Sequence, residues 1–478
     1  MLLDCRLYSQ RTGPAASLLD RGIAPANRPH WRLPLSESQF QPTTAEFVGR
    51  FQQAMAARDF DQAEHLGEII SVREPGNEDV TAFLIARALS RQDILRALNL
   101  GRGAVQAQSQ SARLRFHLGT ALEAAGDREA ALDAFRQARE RDPDLMVAAL
   151  WQADQELALG RDDDALRSQL QALSVAERNG QLAPGISLIP PVRLRVERAV
   201  ADVQRARKSA ITAALAPLRS EFGDSALSRI DQALARIYGQ PFAEPSHPLQ
   251  QPSLLWLPGL PDQPWFEREQ FPFLQEIEQA TTQIRDELLG VLTDEGELSP
   301  YVDMPTNAPA AAIWHGLNRS PDWSAYHLVR HGERIAAHCE RCPRTIALLE
   351  SLPIMRIPEH SPEILFSVLR PKTRIPPHTG VINGRLTVHL PLIVPEDCGA
   401  LRAGEEARSW NVGECLIFDD SFVHEAWNHS DETRVVLIFD IWNPYLSEAE
   451  RSALSIAIAG LGDFHHRYGA RDITHETG

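Results

Sequence analysis

Apolar and polar positions follow two different periods along this chain. From about 45 to 175, small and apolar residues recur with a fixed spacing of 34. Ala63, Ala97, Ala131 and Ala165 keep it, and so do Ala104, Ala138 and Ala172. Asp59, Asp93 and Asp127 share the period, each just before the apolar run of a second helix. A fixed period of this length predicts stacked helix-turn-helix units, each burying one face on the next. Helical spacing continues to about 238 through Val192, Val196, Ala199, Val200 and Val203, then Ile211, Leu215, Leu218, Ile230, Leu234 and Ile237. Prolines then crowd between 241 and 264, an amphipathic helix is expected from about Phe271 to Leu292, and after about 350 the texture changes. Short dense apolar runs (Ile364–Leu369, Leu386–Val394, Glu414–Phe418, Val435–Phe439) are divided by Pro, Gly, Asn and Asp. They read as strands of a sandwich or jelly roll.

These patterns divide the chain into an irregular arm (1–44), helical repeats (45–240), a proline-rich linker or extended wrap (241–264), a β-rich domain (265–450) and a C-terminal helix with a tail (451–478). The class is α+β, in several domains. The best repeat runs through Leu118-Gly119, Leu122, Gly126-Asp127, Ala131, Phe135, Ala138 and Pro143. It resembles the tetratricopeptide pattern at most of its marked positions, with Arg115 where a tryptophan is common. Such stacks form concave surfaces that grip a peptide or partner, or pack on a neighbouring domain.

Length and charge narrow the function. A chain of 478 residues supports two or three cores, and 43% hydrophobic with 23% charged residues is a globular composition. The formal charge of −16 argues against nucleic acid or an anionic membrane as a partner. No apolar run reaches about 18 residues, and Met1–Arg21 does not read as a signal peptide, so a cytoplasmic protein without a membrane span is expected. The oligomeric state is open. Of five cysteines, Cys339 and Cys342 form a lone CxxC without a second ligand pair; two ordinary thiols or a local disulfide both fit.

Two histidines carry the candidate chemistry. His378 lies in the turn Pro376-Pro377-His378-Thr379-Gly380, and His424 closes Asp419-Asp420-Ser421-Phe422-Val423-His424 after an apolar strand. Imidazole suits iron, zinc or copper, and two histidines with open positions suit non-haem Fe(II). By spacing alone this signal is weak, and a pair of loop histidines is more often incidental.

The surrounding blocks add to this. They are Asp322-Trp-Ser-Ala-Tyr326, Cys342-Pro-Arg-Thr345, Pro377-His-Thr-Gly380, Asn383-Gly-Arg-Leu-Thr-Val-His-Leu390, Arg408-Ser-Trp-Asn-Val-Gly413 and Phe418–Asn428, then Arg434 and Asp440-Ile-Trp442. From about 256 to 447, in order and spacing, they resemble the aspartyl/asparaginyl β-hydroxylase family. The resemblance implies a double-stranded β-helix (jelly-roll, cupin-like) using Fe(II), 2-oxoglutarate and O2. It implies His378 and His424 as metal ligands, with Gly380 where most 2-oxoglutarate enzymes place a carboxylate and Asp420 acting from behind a water, a direct Asp420 ligand being the alternative. It implies Arg434, Ser367 and His389 as cosubstrate contacts. Arg385 is a candidate for the substrate's carboxylate, with structural ion pairing as its other reading. The sequence departs from the family at Thr387 and Leu365, where cations are common.

The expected function is hydroxylation of an aspartyl, asparaginyl or related residue of a peptide or protein, with the repeats assisting. A small-molecule or acyl-chain hydroxylase, a non-catalytic tetratricopeptide adaptor and a hydrolytic zinc enzyme are the alternatives.

Overall fold

The computed structural model describes residues 42–183, 185–293, 297–305, 312–314 and 316–469. Residues 1–41 of the expected arm, and the tail after 469, lie outside the described residues. The chain forms two compact units, Met1–Ala199 and Val200–Gly478.

In the first unit, helices pair as hairpins: α1 (Thr44–Ala56) with α2 (Phe60–Arg73), α3 (Glu78–Ser90) with α4 (Ile94–Ala107), α5 (Ala112–Ala124) with α6 (Arg128–Arg141), and α7 (Met146–Ala158) with α8 (Asp162–Arg178). The periodic aspartates are helix caps. Asp59, Asp93 and Asp127 each accept the backbone N–H three residues on, at 3.1, 3.1 and 3.2 Å, satisfying a donor the helix leaves open. The periodic alanines Ala63, Ala97, Ala131 and Ala165 are fully buried, where a larger side chain would part the helices. Gly119 shows the same constraint, because a Cβ there would enter the Phe135 ring. The turns inside the hairpins repeat as well: Arg58, Gln92, Gly126 and Gly160, again 34 apart, all have left-handed backbone (φ 57°, 61°, 79° and 70°). A ninth helix, α9 (Pro190–Phe222), begins by stacking Arg195 over Trp151 at 3.7 Å and pairing it with Asp154 at 2.7 Å.

The second unit begins within α9. The segment 200–240, which periodicity assigns to the repeats, shares a core with the β-rich part instead. Ile211 and Leu215, with Leu227, Ile230 and Leu234 around α10 (Ser228–Ala235), pack on Leu255 and on Leu454 and Ile458 of the last helix, α15 (Glu448–Tyr468). Apolar spacing fixes which face is buried, not what buries it.

Among the described residues twelve strands follow: β1 (Trp265–Phe266), β2 (Ser299–Pro300), β3 (Trp323–Arg330), β4 (Glu333–Arg334), β5 (Ile364–Leu369), β6 (Arg374–His378), β7 (Arg385–Ile393), β8 (Leu401–Ala403), β9 (Glu406–Arg408), β10 (Leu416–Phe418), β11 (His424–Trp427) and β12 (Arg434–Trp442). They form two antiparallel sheets. The larger runs β1-β10-β7-β12-β5-β3-β2, with β4 beside β3; the smaller runs β6-β11-β8-β9.

Strand periodicity explains the layers. On β12, Val435, Leu437, Phe439 and Ile441 join a core with α11 (Leu274–Gln279), α12 (Thr281–Leu292), α13 (Ala336–Arg341) and α14 (Pro343–Ser351). The helix expected from Phe271 to Leu292 is thus two, divided at Ala280. The alternate residues Val436 and Ile438 share a second core with Ile375, Leu401 and Ala426 of the smaller sheet. Covered on both faces, β5, β7 and β12 read as nearly unbroken apolar runs.

Cys339 and Cys342 are free, buried thiols; Cys339 donates to Leu328 O at 3.2 Å, and burial pushes Cys342 up to about 12. Among the described residues, no helix is long and apolar enough to cross a membrane.

Candidate active site

The second periodicity of β5, β7 and β12 also collects the polar residues. Ser367 on β5, Arg385, Thr387 and His389 on β7, and Arg434 and Asp440 on β12 alternate with core residues and line one cavity of about 250 Å³. His378, Gly380, Asp420 and His424 line it from the smaller sheet and its turns.

His378 and His424 stand opposite each other in the β6–β11 pairing, with ring centroids 4.0 Å apart. Each ring makes the same local bond. Nδ1 of His378 meets Pro376 O at 2.9 Å, and Nδ1 of His424 meets Phe422 O at 2.9 Å. A carbonyl only accepts, so Nδ1 carries the hydrogen and Nε2 keeps its lone pair. Burial lowers both basicities, His378 to about 3 with His424 adding to the effect, and His424 to about 4. Two neutral imidazoles with fixed tautomers and free Nε2 atoms are suited to a metal.

The turns that carry them are strapped from outside. The proline-rich segment is no free linker: Gln251 N donates to Ser421 O (2.8 Å), Ser253 N to Gly380 O (3.1 Å), and Leu249 O accepts from Val423 N (2.7 Å). The Gln250 side chain donates to Asp419 Oδ2 at 3.1 Å and Ser421 Oγ at 3.2 Å. Sequence reasoning allowed an extended wrap here but gave Gln250 no role.

Asp420 fills the space next to Gly380, whose N–H donates to Asp420 O at 2.6 Å. A Cβ at 380 would fall inside the Asp420 carboxylate, so this position has no room for a carboxylate of its own. Asp420 Oδ2 accepts from Arg385 Nη2 at 2.5 Å and Thr387 Oγ1 at 3.3 Å, while buried Oδ1 has no protein partner among the described residues. Such an orphaned acceptor suits a metal-bound water. No group of three His, Cys, Asp or Glu side chains that could hold a metal occurs among the described residues.

Arg434 is 1% exposed, and its Nε and Nη1 have no hydrogen-bond partner among the described residues. Its guanidinium lies 4.7 Å from the centre of the Trp410 ring, and burial lowers it to about 10. A buried cation without a partner is costly, so this one is poised for an anion. The same Trp410 donates to His389 Nδ1 at 3.4 Å, which leaves His389 Nε2–H as a donor. Ser367 Oγ accepts from Trp323 Nε1 at 3.1 Å and keeps its own hydrogen. The three expected cosubstrate residues thus line one cavity with their donors uncommitted, and Trp410 and Trp323 orient two of them. The roles of these two tryptophans were not read from sequence.

Arg385 is less free than a substrate anchor would be. Beside the Asp420 bond, its buried Nε lies 3.9 Å from Asp440 Oδ1, a charge contact that leaves Nε without a hydrogen-bond partner among the described residues. Burial works to lower it, but Asp420 and Asp440 together raise it. Asp440 was missed as a wall of the cavity. The available signal was a single acid in the apolar run Val435–Trp442, six residues after Arg434 and therefore on its face.

Comparison with known proteins agrees with the resemblance. Residues 278–444 match the family described as Aspartyl/Asparaginyl beta-hydroxylase, so the β-rich unit carries a domain of that family. The human protein named Aspartyl/asparaginyl beta-hydroxylase is 33% identical over 207 residues, 43% of this chain and 26% of that protein. The Ornithine lipid ester-linked acyl 2-hydroxylase of Rhizobium tropici is 35% identical over 188 residues, 39% of this chain and 63% of that protein. Human Aspartate beta-hydroxylase domain-containing protein 2 is 33% identical over 216 residues, 44% and 56% of the two chains. This chain therefore spans between about a quarter and under two thirds of these relatives.

Proposed function

We propose that the β-rich unit is an Fe(II)- and 2-oxoglutarate-dependent hydroxylase on a double-stranded β-helix. The observation that carries this is the buried, unpartnered Arg434 facing the same cavity as two histidines with free Nε2 atoms. His378 and His424 would hold the iron. Bound iron would supply the oxygen chemistry that couples oxidative decarboxylation of 2-oxoglutarate to hydroxylation of a C–H bond.

The chain's own groups do the rest. Arg434 offers its unpartnered N–H donors to the far carboxylate of 2-oxoglutarate, and Ser367 Oγ–H and His389 Nε2–H stand ready as further donors. Asp420 Oδ1 accepts from a water in the position that a third protein ligand would otherwise take. The strap 249–253 fixes both histidine turns, and Trp323 and Phe418 give the cavity an aromatic lining. Two histidines with no third protein ligand beside them among the described residues fit this reading better than a hydrolytic zinc centre, which has three. The substrate we infer is a residue of a peptide or protein, with the concave repeats helping to bind it; an acyl chain, the substrate class named for the Rhizobium relative, is the second reading.

The test is direct. Purified protein with Fe(II), ascorbate and 2-oxoglutarate should release succinate and, without oxygen, show metal-dependent binding of 2-oxoglutarate by absorbance. His424→Ala should abolish both. An intact absorbance band in that variant would refute the ligand assignment, and the absence of both signals in the wild type would leave the adaptor reading.

A further inference from the structure

Among the described residues, three arginines and no lysine line the cavity. Arg330 is exposed at its rim, and Arg434 is the buried cation already assigned. Of the three arginines, only Arg385 remains inside to meet a charge on the molecule that is oxidised. It faces two carboxylates. Asp420 Oδ2 accepts its Nη2 at 2.5 Å, and Asp440 Oδ1 lies 3.9 Å from its Nε.

Asp440 is not free to turn away. Its Oδ2 accepts Ser361 Oγ at 3.0 Å and the backbone N–H of Glu363 at 2.9 Å. The strand register puts Thr387 opposite Asp440, so a hydroxyl stands where an extended cation would have added positive charge. One positive charge thus stands against two negative ones, in a site where burial leaves them poorly screened. A third carboxylate arriving here would meet more like charge than opposite charge. The lining also includes the apolar Leu254, Met355, Ile357, Val381 and Ile382.

We propose that this site admits one carboxylate ligand, through Arg434, and that the group brought to it for oxidation is uncharged, with Asp440 as the specificity-determining residue because it neutralises Arg385. An aspartyl side chain would then be refused, and an amide or hydrocarbon accepted. This rests on the hydroxylase reading and narrows it.

The test uses the full chain with Mn(II) in place of iron, first titrated with N-oxalylglycine, an unreactive analogue of 2-oxoglutarate. One binding event is expected, and it should be lost in Arg434→Gln. Its absence in the wild type would overturn the hydroxylase reading, and this proposal with it. The saturated complex is then titrated with succinate as a plain carboxylate probe. Wild type should show no second event up to the highest concentration used, whereas Asp440→Asn should gain one with a midpoint at least tenfold below that concentration and dependent on Arg385. Thr387→Arg, which adds a cation opposite Asp440, should gain it too and serves if Asp440→Asn does not fold. A second, Arg385-dependent event in the wild type, or no gain in a folded variant, overturns the charge argument while leaving the first titration intact.

Discussion

Gly380 and Asp420 compete for one volume: the space a side chain at 380 would occupy is filled by the Asp420 carboxylate. For the metal site proposed above, this gives a physical reason why two histidines would act without a carboxylate at 380. The carboxylate that would otherwise follow the first histidine by two residues is replaced by one reaching in from the second histidine's turn, with Oδ1 open to a water. Gly380→Ala should therefore destabilise the β-rich unit by about 1–3 kcal/mol through overpacking, and weaken metal binding at least tenfold by displacing Asp420. Adding Asp420→Gly relieves that clash but takes the carboxylate from Arg385 Nη2, so it should recover neither the full stability nor the metal affinity. Thermal melting and Mn(II) titration followed by electron paramagnetic resonance would check both parts.

Arg434 makes the opposite trade. Its basicity is lowered by burial to about 10, so the fold disfavours its charge, and the penalty is present in full below that pH. Replacing it with a similar apolar side chain, Arg434→Met, should raise the melting temperature of the ligand-free protein, by about 1–4 kcal/mol of stability. It should also cancel the stabilisation that saturating 2-oxoglutarate and Mn(II) give the wild type. A loss of stability in the ligand-free variant would mean that the guanidinium has a compensating partner after all.

Much of this was legible in the sequence, for reasons that can be named. The 34-residue period survives because the close helix crossings at Ala63, Ala97, Ala131 and Ala165 and the caps at Asp59, Asp93 and Asp127 tolerate few residue types. His378, His424 and Arg434 stood out through the blocks around them. Pairing was less accessible. Nothing in the spacing of Arg385 and Asp420, 35 residues apart, shows that they bond, because that depends on two turns meeting across two sheets. Asp440 was hidden for a related reason: β12 is covered on both faces, so its apolar run does not reveal which side faces a cavity. The segment 200–240 was assigned to the repeats because a helix's apolar stripe looks the same against either neighbour.

His117 on α5 provides a pH-dependent test of the repeats. Burial, assisted by Arg113, lowers it from its ordinary value of 6.5 to about 4. The unfolded chain takes up a proton at higher pH than the folded one, so stability should be unaffected above about 6.5 and fall as pH drops toward 4. The loss attributable to this group should reach at most roughly 3 kcal/mol. Hydrogen exchange of the α5 amides between pH 7 and 4.5 would measure it, and His117→Gln should flatten that part of the profile. An unchanged profile in the variant would show that carboxylates account for the acid sensitivity.

The four hairpin turns differ in how well their residues suit their backbone. Gly126 and Gly160 adopt the left-handed conformation without steric cost, whereas Arg58 and Gln92 adopt it with a Cβ in the way. Arg58→Gly and Gln92→Gly should each stabilise the repeats by about 0.5–1 kcal/mol, the relief of that strain being partly offset by the greater freedom of glycine in the unfolded chain. Gly126→Ala should destabilise by about 1 kcal/mol, although nothing lies within 4 Å of the added Cβ, because the strain is in the backbone alone. Chemical denaturation followed by the fluorescence of Trp151, with the same comparison made in the hairpin that holds Gly126, separates this from packing. Gly119→Ala is the packing control: its Cβ would enter the Phe135 ring, so its cost should be about 1–3 kcal/mol and should shrink when Phe135 is shortened to Leu, while that of Gly126→Ala should not.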